Sequence, residues 1–373
     1  MDTHRKLELL ADDSRYDLSC ACGSTDGDHR RRGPGGTWLY PASLPGGGTS
    51  IMLKTLLSNS CVNDCRYCPL RNDQDRRRCA LEPEEVAGVF MDYARGEKAF
   101  GLFLTSAVIR SPDYTMDRMT ATGEILRRKF GYRGYLHLKI IPGASDAAIA
   151  KALSLASAVS LNVEAPKRSA FAALSEKKDF DRDIVRPMKL ISQLTARGNR
   201  YERVKQTTQF IVGASDETDS DIVRATFGLY RRLRLNRVYF SAYQRGLGDP
   251  SLPGERNRPA RPEDILTREH RLYQADFLIR KYKWDLDDIL FEDDDNLSLD
   301  IDPKQRWVER HPEFFPVRIL SAGREELLRV PGIGPITAGR IIKTRRQGRI
   351  TGLEDVGLRG KRLQKTLRYA VME

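Results

Sequence analysis

Three things are missing from this 373-residue chain, and each absence narrows what it can be. No apolar run approaches the roughly 18–20 residues that a bilayer span requires, so a membrane protein is not expected. The opening residues, MDTHRKLELLADDSRYD, lack the apolar core of a secretory signal, and a cytoplasmic location is expected. Cysteines number only six, and in a reducing compartment they stay thiols rather than pairing as disulfides. No internal repeat is visible beyond an alternation of strand-like and helix-like segments.

What is present is basic and globular in balance. The chain is 40% hydrophobic and 31% charged, long enough for one domain of roughly 200–250 residues and one or two smaller ones. The net charge is +12, and residues 321–373 hold twelve Lys/Arg against five Asp/Glu, a net +7. A basic surface attracts polyanions, although charge alone can equally be a solvated face.

Residues 1–49 read as irregular apart from a short helical stretch near Leu7–Leu10, because HRRRGPGG and PASLPGGG are too rich in Gly and Pro for packed elements. From Ser50 short apolar, β-prone runs alternate with helical periods. The runs are IMLKTLL, GLFLTSA, YLHLKII, VSLNVEA, QTTQFIV and VYFSAY. Six strands with helical crossovers predict an α/β fold, a parallel sheet or partial (βα)6 barrel over residues 50–245. Function then belongs on loops leaving the C-terminal strand ends. Residues 246–302 read as a linker with a helix near Pro262–Lys283 and an acidic stretch. That stretch, 285–302, has nine acidic residues and no basic one, and reads as a solvated spacer or as a cover for basic surface. Residues 303–373 form a compact, small all-α module.

Three of the six cysteines, Cys61, Cys65 and Cys68, form a CxxxCxxC loop directly after the first predicted strand. Thiolates at this spacing can hold three irons of a [4Fe–4S] cluster and leave the fourth open. An open iron can chelate the amino and carboxylate groups of S-adenosylmethionine (SAM). The competing account is structural zinc with Cys79, Cys20 or Cys22 as a fourth ligand, but zinc knuckles use CxxC at both ends.

Residues 50–245 resemble the radical SAM core on these motifs. The resemblance implies an aromatic neighbour for the adenine before the third cysteine, the place of Tyr67. The usual Gly-Gly-Glu-like motif after the second strand is replaced by Leu104-Thr105-Ser106-Ala107, so Thr105 and Ser106 stand in for it without an acidic member. Asn162 and Glu164, one pleat apart on the fourth strand, are candidates for the SAM ribose or amino group. Gly213 with Glu217 resembles the glycine-containing fifth-strand motif, and Ser241 on the sixth strand completes the pocket. Gly213 can instead be an ordinary turn glycine, and Glu217 a helix-start carboxylate.

Near the C-terminus, LLRVPGIGPITA (residues 327–338) reads as helix, tight hairpin, helix. Gly332 and Gly334 permit positive φ and a close approach of backbone to a ligand. Backbone N–H groups at the start of the second helix, near Thr337, can then face a phosphate. Arg340, Lys343, Arg345, Arg346 and Arg349 follow. This matches the helix-hairpin-helix motif of proteins that grip DNA phosphates without reading sequence.

Taken together, the chain resembles the DNA modification/repair radical SAM proteins that are often encoded beside a uracil-DNA-glycosylase-like protein. The resemblance rests on the cluster loop, SPDYTM, LHLKIIPGAS, LNVEAP, RLYQADFLIRKY, DIDPKQRW, HPEFFPV and the hairpin. It implies a SAM radical acting on DNA, with flavodoxin or ferredoxin as reductant. Two alternatives stand beside it. One is a radical SAM enzyme for RNA such as tRNA. The other is a non-catalytic DNA-binding protein with a structural cluster, although helix-hairpin-helix glycosylases carry four cysteines after the hairpin. The Cys-His pair expected near the N-terminus is absent, and Cys20, Cys22 and Cys79 are left without an assigned role.

Overall fold

The computed structural model describes all residues except 15–30, 33–37, 44–47, 97, 258–260, 262 and 349. Cys20, Cys22 and Arg349 therefore lie outside the described residues. The chain forms two compact units: Met1–Glu217 with Gly228–Glu269, and Thr218–Phe227 with His270–Glu373.

The first unit is built on an eight-stranded sheet whose strands lie in sequence order. They are β1 (Arg31–Arg32), β2 (Trp38–Ser43), β3 (Thr49–Leu56), β4 (Gly101–Thr105), β5 (Tyr135–Lys139), β6 (Ala158–Ser160), β7 (Lys205–Val212) and β8 (Arg237–Ala242). β3 to β8 are mutually parallel, while β1 and β2 pair antiparallel at the edge. All six strands read from the sequence are present. The first helix, α1 (Thr3–Asp13), precedes the sheet. The crossovers carry α2 (Pro83–Arg95), α3 (Pro112–Glu124), α4 (Asp146–Leu155), α5 (Arg168–Leu174) with α6 (Arg186–Leu194), and α7 (Asp219–Leu233). After β8 come α8 (Pro253–Arg256) and α9 (Asp264–Phe277).

Parallel strands in sequential order, joined by crossovers that follow the general right-handed rule, put the crossover helices α2 to α6 on one side of the sheet. The sheet curls into a half-barrel, and its other face carries the buried polar side chains of Lys54, His137 and Ser160. Helix starts follow local chemistry. Pro83 opens α2 with a Glu82/Glu85 capping box, and Ser111 and Ser145 cap α3 and α4 through their hydroxyls. The helix-covered face holds the apolar half of each strand: Leu53, Leu102, Leu104, Leu136, Leu138, Val159, Phe210 and Phe240 are all buried.

The structure departs from the sequence reading in three places here. The N-terminal region is not wholly irregular, since Trp38–Ser43 adds a strand beside β3. Pro41 lies outside the two residues of β2, Trp38 and Leu39, that pair with β1 among the described residues. The fourth strand stops at Ser160 rather than running to Glu164. Beyond it Thr208 Oγ1 donates to Leu161 O (2.7 Å) and accepts from Val163 N (2.9 Å), replacing ladder bonds. Asn162 and Glu164 are thus not one pleat apart on a strand, and Glu164 sits at φ 61° in a tight turn.

The second unit contains α10 (Pro303–Arg310), α11 (Arg324–Arg329), α12 (Pro335–Arg346) and α13 (Gly360–Leu367). It is not purely helical. The two-residue strands β9 (Val317–Arg318) and β10 (Ala370–Val371) pair in parallel and clasp the ends of the module. Its core is Leu327, Leu328, Val330, Ile333, Ala338 and Ile341, closed by Leu353, Val356 and Leu358. The acidic stretch is solvated in part, with Asp285, Asp287, Asp293, Asp294, Asp295 and Asp300 exposed, and covers basic surface in part. Asp288 pairs with Arg329 (2.8 Å), Glu292 with Arg306 (2.5 Å), and Asp219 accepts from the buried Leu297 N–H (3.0 Å).

Candidate cluster site and candidate nucleic-acid interface

The cysteine loop leaves the C-terminal end of β3 and is locked at its base. Leu57 N donates to Thr105 O (2.8 Å), and a Ser58–Ala80 bridge closes residues 59–79 into one excursion. Arg78 organises the interior, donating to the carbonyls of Asn59, Leu70, Arg71 and Gln74. Cys65 is buried, and Cys61 and Cys68 are half-buried. Backbone N–H groups of Asn63 and Leu70 approach the sulfurs of Cys61 and Cys68 at 3.4 Å each. Among the described residues, no three or more His, Cys, Asp and Glu side chains are arranged to hold a single metal ion.

A second segment brings the counter-charge. Asp64, inside the cysteine motif, accepts from Ser175 Oγ (2.5 Å) and from the backbone of Glu176 (2.9 Å) and Lys177 (3.3 Å). Burial works against that carboxylate, yet these donors outweigh it and hold its pKa below the usual range. Lys177 Nζ also donates to Val62 O (2.7 Å). The tie delivers the half-buried Lys178 to Cys65, with which it hydrogen-bonds. Burial alone would lower the Lys178 pKa, but the sulfur of Cys65, then Glu164 and Cys61, push it up.

Burial raises the Cys65 thiol, and raises Cys68 to about 12 with the charge of Cys65 adding to it. Thiolates in this loop therefore need positive partners. Three convergent thiols, two already accepting backbone N–H and one beside an ammonium, form a donor set that fits an iron–sulfur cluster, whose electronics depend on such contacts.

Tyr67 lies in the same cluster of side chains. Its hydroxyl donates to Glu164 Oε1 (2.9 Å), and burial followed by the Glu164 charge pushes its pKa well up, so it remains a phenol. Thr105 and Asn162 are buried, and Ser106 Oγ donates to Ala107 O (2.7 Å). Gly213 is a turn glycine at φ 83°, where a Cβ would lie 2.6 Å from Ile265 Cδ1. Glu217 is committed to that turn: one oxygen accepts from Gly213 N (2.5 Å), the other from Ser215 N (3.2 Å) and the Ser215 hydroxyl. Burial raises its pKa despite Arg268 nearby. Ser241 is half-buried on β8. Cys79 does not join the triplet; its sulfur lies 3.9 Å from Lys6 O of α1.

The face of the sheet opposite the helix-covered apolar residues carries buried polar groups that the sequence reading passed over. The Lys54 ammonium lies over the Phe103 ring (5.0 Å), Phe103 packs on His137 (4.1 Å), and His137 Nε2 bonds Ser160 Oγ (2.9 Å). Tyr135 and Lys139 share the strand face of His137. A signal existed. Fully covered parallel strands are continuously apolar, whereas YLHLK alternates. Lys178, Asp64 and Arg78 gave less notice, because SEKKD reads as solvated charge.

In the second unit the hairpin forms as expected, with one correction. Gly332 has φ 86°, but Gly334 is extended at φ −114° and caps α12; what it contributes is room, the Tyr282 hydroxyl lying 3.2 Å from where a Cβ would sit. Arg340, Lys343 and Arg346 are exposed. Arg345 is not, since it turns inward to the carbonyls of Ile319 (3.1 Å) and Ala322 (2.6 Å). Thr337 is buried and accepts from Arg362 (2.9 Å).

The family profile described as "Helix-hairpin-helix motif" matches residues 317–344. No curated protein matches the chain. Among solved structures, the chain is similar to the FeFe-hydrogenase maturase HydG from Carboxydothermus hydrogenoformans at 14% identity. That match covers 61% of this chain and 51% of that one, with a TM-score of 0.47. Methylornithine synthase (PylB) matches at 16% identity over 60% of this chain and 62% of that one, TM-score 0.46. A radical SAM methyltransferase from Sphaerobacter thermophilus matches at 12% identity over 67% and 74%, TM-score 0.42. The chain thus spans about half the length of HydG. The half-barrel assignment stands on the strand order and register above. The class defined by fold is an α/β half-barrel joined to a helix-hairpin-helix module.

Proposed function

We propose that this chain is a radical SAM enzyme acting on DNA, in modification or repair. The observation that carries the enzyme reading is the loop at the end of β3, which brings Cys61, Cys65 and Cys68 together with Lys178 at one mouth of the half-barrel. These three thiolates would hold a [4Fe–4S] cluster whose open iron takes SAM. When bound, that pair supplies a 5′-deoxyadenosyl radical for hydrogen abstraction. Lys178 balances negative charge beside Cys65, and Asp64 keeps it there. Tyr67, held by Glu164, would flank the adenine, with Thr105, Ser106, Asn162 and Ser241 as further candidate SAM contacts. Gly213 and Glu217 shape the adjoining turn.

The sheet face with Lys54, Phe103 and His137 suits a substrate that is polar and aromatic, as a nucleotide is. A base within a duplex would have to be extruded to reach it. The helix-hairpin-helix match supports nucleic-acid contact through Gly332, Gly334 and the exposed Arg340, Lys343 and Arg346. Flavodoxin or ferredoxin would be the reductant, and a uracil-DNA-glycosylase-like protein the working partner, in the cytoplasm. On this reading residues 50–245 carry the chemistry and 303–373 the grip on DNA.

The test is 5′-deoxyadenosine formation by reconstituted protein with duplex DNA, single-stranded DNA or tRNA added. Stimulation by DNA above tRNA is expected. Stimulation by tRNA alone would replace the DNA assignment with the RNA one.

A further inference from the structure

A cavity of about 280 Å³ lies behind the hairpin, within the second unit, lined by Tyr282, Asp302, Lys304, Gly334, Arg362 and Lys365. It is small for a ligand cleft and suits one sugar with its phosphate rather than a base pair. Lys304, on the first turn of α10, points into it while half-buried. Its Nζ donates to Ile333 O of the hairpin (2.8 Å) and lies 4.8 Å from the centre of the Tyr282 ring. Arg362 is held alongside, donating to Gly332 O (2.6 Å) and Thr337 Oγ1 (2.9 Å).

We propose that Lys304 is an amine nucleophile, and that this cavity receives the aldehyde of a deoxyribose that has lost its base. The proposal rests on the reading that the hairpin grips DNA. A phosphate chain gripped there brings its sugars to the cavity, and an intact nucleotide offers no carbonyl carbon on its sugar. Only a sugar without its base opens to a C1′ aldehyde. Attack by the neutral amine forms the N–C1′ bond while the carbonyl electron pair moves to oxygen. Proton transfer from nitrogen to that oxygen and loss of one water leave an imine.

The surroundings favour a neutral amine. Burial lowers the Lys304 pKa to about 7, and Lys365 and Arg362 on α13 and Arg329 on α11 push the same way, while Asp302 at the start of α10 opposes them. An ordinary lysine at pH 7 is neutral in roughly one molecule in a few thousand, so this amine is about a thousandfold better supplied with the reactive form. The Ile333 carbonyl takes one N–H and leaves the lone pair free to face the cavity.

The experiment is reductive trapping with cyanoborohydride on the full-length protein. The probes are a duplex containing one abasic site, the same duplex with a tetrahydrofuran analogue that has no aldehyde, and an intact duplex. Gel-shift binding is measured in parallel. A covalent adduct is expected only with the aldehyde, mapping by mass spectrometry to Lys304, and rising with pH through about 7. K304R, which keeps a cation and donor, is expected to lose trapping by at least about tenfold, while K189R, at an exposed position of α6 in the first unit, keeps it. DNA binding without an adduct, or an adduct on another lysine, overturns the proposal and leaves the DNA reading intact. Absence of binding to every duplex overturns both.

Discussion

Gly332→Ala tests the hairpin most sharply, because two costs can be worked from its surroundings. At φ 86° an alanine enters left-handed space at about 1–2 kcal/mol. The added Cβ would also lie 2.2 Å from Thr366 Oγ1. That hydroxyl is fully buried and holds Pro331 O (3.1 Å) and Arg362 O (2.9 Å), so displacing it costs a further 1–3 kcal/mol or so. The sum, about 2–5 kcal/mol, is a large share of a domain's stability. Denaturant unfolding followed by tryptophan fluorescence reads it, since Trp284 and Trp307 both lie in the second unit. Gly339→Ala is the control. It sits inside α12 with no atom nearer than 3.8 Å to the new Cβ, so a gain of about 0.5–1 kcal/mol is expected. A Gly332→Ala loss below about 1 kcal/mol would refute the geometry argued for the hairpin.

Three further outcomes are expected. Lys343→Ala and Arg346→Ala should each reduce the salt dependence of DNA binding by about one unit of slope, whereas Arg345→Ala should lower thermal stability and leave the slope unchanged. Asp64→Ala should cost about 1–3 kcal/mol and reduce iron retained per chain after reconstitution, because three donors lose their acceptor and Lys178 its tether. For pH dependence, Lys304 is held at about 7 against an ordinary 10.5, so between these values the folded chain binds fewer protons than the unfolded one. Stability of the second unit should therefore rise with pH from about 7 towards 10.5, by several kcal/mol at the ceiling. Lys304→Met should flatten that rise, as followed by unfolding midpoints across the pH range.

Much of the architecture was legible because its signals are local. Six apolar runs separated by helical periods became six parallel strands, and LLRVPGIGPITA became the hairpin. The cysteine triplet stood out because its spacing is dictated by the cube it would wrap. What escaped depends on distant segments meeting. Lys178 belongs to the site only because Asp64 pulls residues 175–177 onto the cysteine loop. Glu164 is cut off from β6 because Thr208, more than forty residues on, replaced two ladder bonds, and it meets β7 again only through a bridge to Phe210. Arg345 looked like its neighbours in sequence, but its helix position turns it towards Ile319 and Ala322. The strand Trp38–Ser43 was hidden by Pro41, a residue that seldom sits inside a strand. Lys304 drew no attention, since a lone lysine is normally solvated and nothing local foretells the cavity around it.

The most direct test of the central claim is anaerobic reconstitution with iron and sulfide, followed by reduction and assay of 5′-deoxyadenosine from SAM, with Cys65→Ala in parallel. Wild type is expected to bind about four irons and form the product, and Cys65→Ala to form none. If wild type takes up zinc and assembles no cluster, or if Cys65→Ala is as active as wild type, the account of this loop is wrong.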